Sequence, residues 1–255
     1  MTAITPLVLT FDETANLTRT LAQLSWAHEV VVFDSGSTDE TDFIARGFAN
    51  VRVAHRTFDT HAAQWNAGVA ECATGWVLAL DADYVLSPEL VEELRAWQPD
   101  PNVDAYFSNF RYCVEGVPLR GSLYPPRAVL FQASKCRYVQ DGHTQLLEVA
   151  GASAWLRHAI FHDDRKPLSR WLANQDRYAK LEAEKLLAAP TNSLRWRDRW
   201  RRLIVPAPFL VFVTTLFGKG LILDGWRGWY YVCQRTLAEL MLSLRLVEAR
   251  LQKRR

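Results

Sequence analysis

Two aspartates one residue apart, Asp81 and Asp83, follow the apolar run Trp76-Val77-Leu78-Ala79-Leu80. In an extended segment, side chains repeat direction every second position, so both carboxylates can point the same way where a strand ends. Hard divalent cations such as Mg2+ and Mn2+ take oxygen ligands, often one or two carboxylates together with substrate phosphates. The pair therefore predicts a place where such an ion bridges a diphosphate and offsets the charge that develops on a departing nucleotide. Two further oxygen-rich stretches also follow apolar runs: Thr10-Phe11-Asp12-Glu13 and Asp34-Ser35-Gly36-Ser37-Thr38-Asp39. Further along, His162 can add an imidazole nitrogen, so the expected metal ligands are Asp83, Asp81 and His162. Asp163, Asp164, Arg165 and Lys166 follow it directly and read as a solvated charged turn, with closure of Arg165 or Lys166 over the diphosphate as the alternative.

The elements that must position these residues are legible as alternating runs. Leu7-Val8-Leu9, Val30-Val31-Val32-Phe33, Val51-Arg52-Val53 and the run ending at Leu80 predict four short strands. Between them, residues 16–24, 38–46 and 61–72 have helical character, and Ser87 with Pro88 starts another helix. Continuous apolar strands alternating with helices indicate βαβ units and a parallel sheet covered on both faces. Such a sheet binds its ligand at the carboxyl ends of its strands, where all three oxygen-rich stretches fall. Residues 105–148 read as mixed strands and loops that complete the sheet. Residues 167–187 read as a helix with Trp171, Tyr178, Leu181 and Leu186 on its apolar side.

Composition narrows the class. The 255 residues are 49% hydrophobic and 23% charged with a net charge of +2, which supports a sizeable core and gives no general attraction to nucleic acid. Cys72, Cys113, Cys136 and Cys233 lie far apart and read as reduced thiols of a cytosolic protein. The first residues lack a basic stretch followed by an apolar one, so no secretory signal is expected. Neither the dinucleotide fingerprint G-x-G-x-x-G nor the P-loop pattern follows the first strand, which disfavours a dehydrogenase or an NTPase.

Taken together, Leu7 to Glu13, Val31 to Asp39 and Trp76 to Asp83, in this order and spacing, resemble a family 2 glycosyltransferase of the GT-A type. The resemblance implies an α/β, Rossmann-like, mostly parallel sheet flanked by helices. It also implies inverting transfer of a sugar from a nucleotide donor, assisted by Mg2+ or Mn2+. By that resemblance Thr10 and Asp12 lie beside the nucleotide, Asp34 contacts its base or ribose, and Asp83 holds the metal. Asp81 sits near the ribose and metal-bound water, while Gln64 and Asn66 line the donor pocket. Asp12 stands where many relatives carry Asn. The later half is similar to the branch that glycosylates the lipopolysaccharide inner core, through Gln140-Asp141-Gly142-His143-Thr144-Gln145, Ile160-Phe161-His162 and Gly220-Leu221-Ile222-Leu223-Asp224-Gly225. Inverting transfer needs a base to take the acceptor's proton. Asp141 is the first candidate, with His143 and Glu148 as rivals. Two other readings are a sugar-nucleotide nucleotidyltransferase, which generally carries a Gly-rich basic loop absent from residues 10–15, and a membrane-associated module that has lost catalysis.

The last third differs. Arg195-Trp196-Arg197-Asp198-Arg199-Trp200-Arg201-Arg202 runs into an apolar stretch, residues 203–217, which is short of the ~20 residues that cross a bilayer. A Gly218-Lys219-Gly220 break and a long helix over 228–251 come next. Arginines beside indoles suit a membrane interface. The expected organisation is a catalytic domain over residues 1–190 and a membrane-associating helical region over 191–255. Its expected location is peripheral, on the inner face of the cell membrane, and its partners are a nucleotide-sugar donor and a lipid-linked or cell-envelope glycan acceptor.

Overall fold

A computed structural model describes residues 4–141, 144–190, 192, 194 and 196–252. The chain forms two compact units, one built from residues up to Pro118 with Tyr124–Lys166, the other from Leu119–Leu123 and Pro167 onward. The division falls at 166/167, ahead of the expected 190/191, because the helix that begins after Pro167 packs with the C-terminal helices.

In the first unit, β1 (Ile4–Thr10), α1 (Leu17–Ala22), β2 (Val30–Asp34), α2 (Thr41–Arg46), β3 (Val51–His55), α3 (His61–Ala70) and β4 (Trp76–Asp81) alternate as the apolar runs require. Then come β5 (Tyr84–Leu86), α4 (Pro88–Ala96), β6 (Ala105–Ser108), β7 (Phe110–Val114), β8 (Val117–Pro118) and β9 (Arg127–Gln132). β10 (Cys136–Asp141), β11 (Thr144–Val149), β12 (Ser153–Trp155) and β13 (Ile160–His162) complete it. The central sheet has seven strands in the order β12-β6-β9-β4-β1-β2-β3. β1 pairs in parallel with both β2 and β4, and β2 with β3, while β9 runs antiparallel to β4 and β6. Chain order reverses between β1 and β4, and that switch point is where an open α/β sheet leaves a crevice for a ligand.

Alternate residues of the same strands fill two cores. Val8, Val30, Val32, Leu78 and Leu80 pack with Leu17, Leu21, Leu90 and Leu94 on one face. On the other, Leu7, Val31, Phe33, Val77 and Ala79 pack with Ala62, Trp65 and Tyr138. Burial of both faces explains why these strands read as continuous apolar runs. β10 and β11 form a hairpin, and β5, β13, β7 and β8 form a separate four-stranded sheet.

The second unit contains α5 (Leu168–Ala188), α6 (Trp196–Arg201), α7 (Pro206–Val213), a π-type turn at Thr214–Gly218, a 3-10 turn at Leu221–Asp224, and α8 (Gly225–Gln252). α5 has nearly the expected length and buries Leu186, with Trp171 and Tyr178 half-buried as expected, but the ridge is shifted away from Leu181. Ala179, Glu182, Ala183 and Leu186 are buried, whereas Leu181 is exposed. The small alanines pack with Leu242 and Leu246 of α8, and Glu182 is buried because Arg201 pairs with it at 2.9 Å. Among the described residues no single helix is long and apolar enough to cross a membrane. All four cysteines are free thiols.

Candidate active site

The loops after β1 and β2 hold each other in place. Asp34 is buried and its carboxylate accepts hydrogen bonds from Thr10 Oγ1 (2.8 Å), Gly36 N (2.8 Å), Ser37 N (2.8 Å) and Ser37 Oγ (2.5 Å). Burial pushes this carboxyl up, but the bonds from Ser37, Thr10 and Gly36 outweigh it and hold the group below its ordinary value. Asp12 has a positive φ of 51°, a region that Asp and Asn tolerate better than other residues. Its Oδ1 accepts from Thr38 N at 2.7 Å and its own N–H donates to Ser37 Oγ at 2.7 Å. Asn could serve the same turn, which accounts for the interchange expected at this position.

Gln64 and Asn66, expected to line the donor pocket, act as struts. The buried Gln64 amide donates to Ser35 Oγ (3.0 Å) and accepts from Arg56 (2.8 Å). Asn66 exchanges two 2.9 Å bonds with the backbone of Tyr138, fastening β10 to α3. Both amides are committed to the scaffold that shapes the crevice.

The Asp81-Ala82-Asp83 turn leaves the end of β4, where Asp81 lies opposite Leu9 of β1. Thr20 Oγ1 donates to the Ala82 carbonyl at 2.6 Å, and Asp163 N to the Asp83 carbonyl at 3.0 Å. β5 and β13 pair antiparallel with Tyr84 opposite His162, which brings His162 Nε2 to 3.2 Å from Asp83 Oδ2. The other two polar atoms of this pair, Asp83 Oδ1 and His162 Nδ1, are buried without a hydrogen-bond partner. Burial pushes the Asp83 carboxyl up, but the His162 ring and the Lys166 ammonium hold it down at about 2. Burial disfavours a charged His162, yet Asp83, Asp81 and Asp164 raise its pKa. The rings of Tyr124, Tyr112 and Tyr84 surround the imidazole at 4.5, 4.9 and 5.5 Å.

An anionic oxygen and an imidazole nitrogen at this separation, each with a further orphaned atom, are donors that would suit a divalent ion. Among the described residues no three His, Cys, Asp or Glu side chains come together around one point. Of the three expected ligands, Asp83 and His162 are the two that lie in direct contact. The charge of Asp81 also acts on Tyr84, Tyr124, Tyr138 and Arg127, and from the strand end it does not join the pair as a third close ligand.

A second buried cluster adjoins the first. Lys166 Nζ donates to Glu13 Oε1 at 2.7 Å and lies 3.5 Å from Asp164. Burial raises the Glu13 carboxyl to about 7, with the Asp83 charge adding and Lys166 opposing. Asn16 is the hub: its Nδ2 donates to Glu13 and Asp164, both at 2.9 Å, and its Oδ1 accepts from Arg165 N at 2.9 Å. Arg165 turns away and pairs with Asp163 at 3.0 Å, beside Gly116, as Arg19 also does. Of Arg165 and Lys166, only Lys166 joins the acidic cluster. Sequence reasoning missed Asn16 and the Glu13–Lys166 pair; Glu13 and Lys166 lie 153 positions apart and carry no shared spacing.

Asp141 ends β10, opposite Thr144 across the hairpin, and is half-buried. His143 lies outside the described residues. Glu148 is exposed on β11, opposite Arg137. From the same hairpin, Tyr138 feels the charge of Asp81 and stacks on Trp65 at 5.3 Å, so β10 borders the acidic strand end.

A mostly parallel sheet with a switch point, an acidic turn after β4 and a histidine returned to it by β13 together make a fold of the GT-A type. The family model for Glycosyl transferase family 2 matches residues 7–162, and the chain belongs to that family and is a glycosyltransferase. It is 23% identical over 237 residues to the lipopolysaccharide core biosynthesis glycosyltransferase LpsC of Rhizobium meliloti, covering 87% of this chain and 83% of that protein. An uncharacterized glycosyltransferase of Rickettsia bellii is 31% identical over 106 residues, 41% of this chain and 36% of that one. The crystal structure of S. aureus TarS residues 1–349 in complex with UDP-GlcNAc shares the fold, with a TM-score of 0.50 at 13% identity, covering 92% of this chain and 90% of that one. Family membership sets aside the nucleotidyltransferase reading.

Proposed function

We propose that this enzyme moves a sugar, with inversion, from a nucleoside-diphosphate donor to a hydroxyl of a lipid-linked or cell-envelope glycan. It works with Mg2+ or Mn2+ at the inner face of the cell membrane. The observation that carries the reading is the buried Asp83–His162 pair at the carboxyl end of the sheet, 3.2 Å apart with two orphaned polar atoms. The likeness to a lipopolysaccharide core transferase over most of both chains supports the acceptor class.

Asp83 and His162 would hold the ion, which supplies charge neutralisation for the departing diphosphate. The chain's own residues do the rest. The loops of Thr10, Asp12 and Asp34 are fixed before any ligand arrives, so their hydroxyl and peptide groups receive the nucleotide without being ordered at that moment. Asp81, at the open end of β4, is assigned to the ribose side and the ion's water. Lys166 keeps the Glu13 and Asp164 carboxylates from repelling a diphosphate, and the tyrosines around His162 exclude water from the imidazole. Inversion requires a base on the acceptor side. Asp141 on the β10 hairpin takes that role, with His143 and Glu148 as the alternatives to test beside it.

Thermal unfolding followed across a panel of nucleoside diphosphates, each with and without Mn2+, tests the donor site. One nucleotide should stabilise the protein, and only with metal. Equal stabilisation with and without Mn2+, or none from any nucleotide, contradicts the proposal.

A further inference from the structure

The helical unit is apolar on the side where its own helices do not pack. The inner face of α8 is occupied: Tyr231, Val232, Leu242 and Leu246 are buried, and Arg201 bonds Glu239 at 3.1 Å and Glu182 at 2.9 Å. On the opposite face an exposed stripe runs the length of the helix, from Trp226 through Tyr230, Leu237, Leu240 and Leu244 to Leu251. Steps of three, four and seven residues keep these side chains on one side of a helix. Their exposure is large where it would cost most, 89% for Trp226 and 69% for Leu244.

The stripe does not stop at the start of α8. α7 and α8 meet at a bend of 69°, and beyond it Phe209, Phe217 and Leu223 are exposed too. The rings of Phe212 and Trp229, 6.2 Å apart, join the two helices. The bend is built in: Gly220 and Gly225 have positive φ of 72° and 58°, and a Cβ on Gly228 would stand 1.9 Å from the Leu221 carbonyl oxygen. Asp224 is fastened by Arg120, whose backbone N–H donates to it at 2.9 Å. Exposed Lys219 and Arg227 stand at this bend among the aromatic residues.

We infer that this bent apolar surface is the part of the enzyme that enters a lipid bilayer, lying in the plane of one leaflet at an anionic phospholipid surface. The inference rests on the reading of an enzyme that meets its acceptor at a membrane, and names the surface and the mode. Indoles and a tyrosine beside a lysine and an arginine match the boundary between acyl chains and anionic headgroups. The buried Arg201–Glu239–Glu182 set on the inner side of α8 rules out lipid all around that helix, which opposes a crossing. An apolar surface that continues around a 69° bend suits a deformable lipid phase better than a single straight helix–helix seam.

The test is flotation of the full chain with vesicles of phosphatidylglycerol and phosphatidylcholine, compared with phosphatidylcholine alone. Leu237→Glu and Leu244→Glu, both on the outward stripe, are compared with the unaltered protein, with Mn2+-dependent nucleotide binding as the control. The unaltered chain should float with the anionic vesicles and be released by alkaline carbonate. Each substitution should weaken partitioning roughly tenfold or more with nucleotide binding unchanged. A chain left in the soluble fraction by both vesicle types, or variants that float like the unaltered protein, overturns the inference. So does retention after carbonate, which means a crossing. A switch from dimer to monomer in Leu244→Glu during sedimentation, without vesicle binding, would make the stripe a seam between copies. Loss of nucleotide binding in the unaltered chain would instead count against the donor site.

Discussion

The turn that carries Asp83 is held beside His162 by two main-chain contacts: the Thr20 hydroxyl on the Ala82 carbonyl and the Asp163 N–H on the Asp83 carbonyl. Asn16 does the same for the neighbouring cluster. Asn16→Ala leaves Glu13, Asp164 and the Arg165 N–H each short of a partner in a poorly solvated place, and should cost about 2–3 kcal/mol in urea unfolding. A loss under about 0.5 kcal/mol would show that water replaces the amide freely. For Glu13 and Lys166, breaking the pair singly should cost more than replacing both. Lys166→Met should destabilise by about 3 kcal/mol, and adding Glu13→Gln should recover part of that; additive losses in the double-mutant cycle would contradict a coupled pair. Asp34 gives a pH prediction. Its folded pKa lies below the ordinary 3.8, so its contribution is fully present above that value and is lost as pH falls through the folded pKa. Asp34→Asn should flatten the acid limb of the stability profile, and an unchanged limb would contradict the assignment. The acidic pair after β4 was legible because two carboxylates beyond an apolar run are a local signal. Asn16 and the Glu13–Lys166 contact were not, because they depend on how β13 returns beside β5.

The first four strands of the catalytic unit and the helices between them were legible element by element, since each apolar run ends in a polar turn, and α4 also carries its own start signal. Ser87 is an example: its Oγ accepts from Leu90 N at 3.1 Å, with Pro88 at the first position of α4. Ser87→Ala should cost about 1 kcal/mol in chemical denaturation, and a change within error would mean the cap is redundant. The less legible part was the join between elements. Asn66, expected at the donor, instead grips β10 through Tyr138, and a polar residue on a helix gives no sign of which neighbour will claim it. The face of α5 was legible only in part for a related reason. Large apolar side chains suggest a buried ridge, but close helix packing selects the small Ala179 and Ala183.

At the scale of the whole molecule, a glycosyltransferase unit is followed by a helical unit, for which placement at a membrane is the proposed role. The order of the two is legible from the change in composition near the last third of the chain. The boundary is not, because α5 packs with the C-terminal helices while its polar, amphipathic sequence resembles the helices of the catalytic unit. The central claim concerns the first unit: a divalent ion is held by Asp83 and His162 together with a nucleoside diphosphate. The most direct measurement is the free Mn2+ signal in electron paramagnetic resonance as the protein is titrated in the presence of the stabilising nucleotide. The unaltered protein should deplete the signal at a one-to-one ratio, and Asp83→Asn and His162→Ala should each weaken that binding by at least about tenfold. Wild-type Mn2+ affinity in Asp83→Asn would contradict the account.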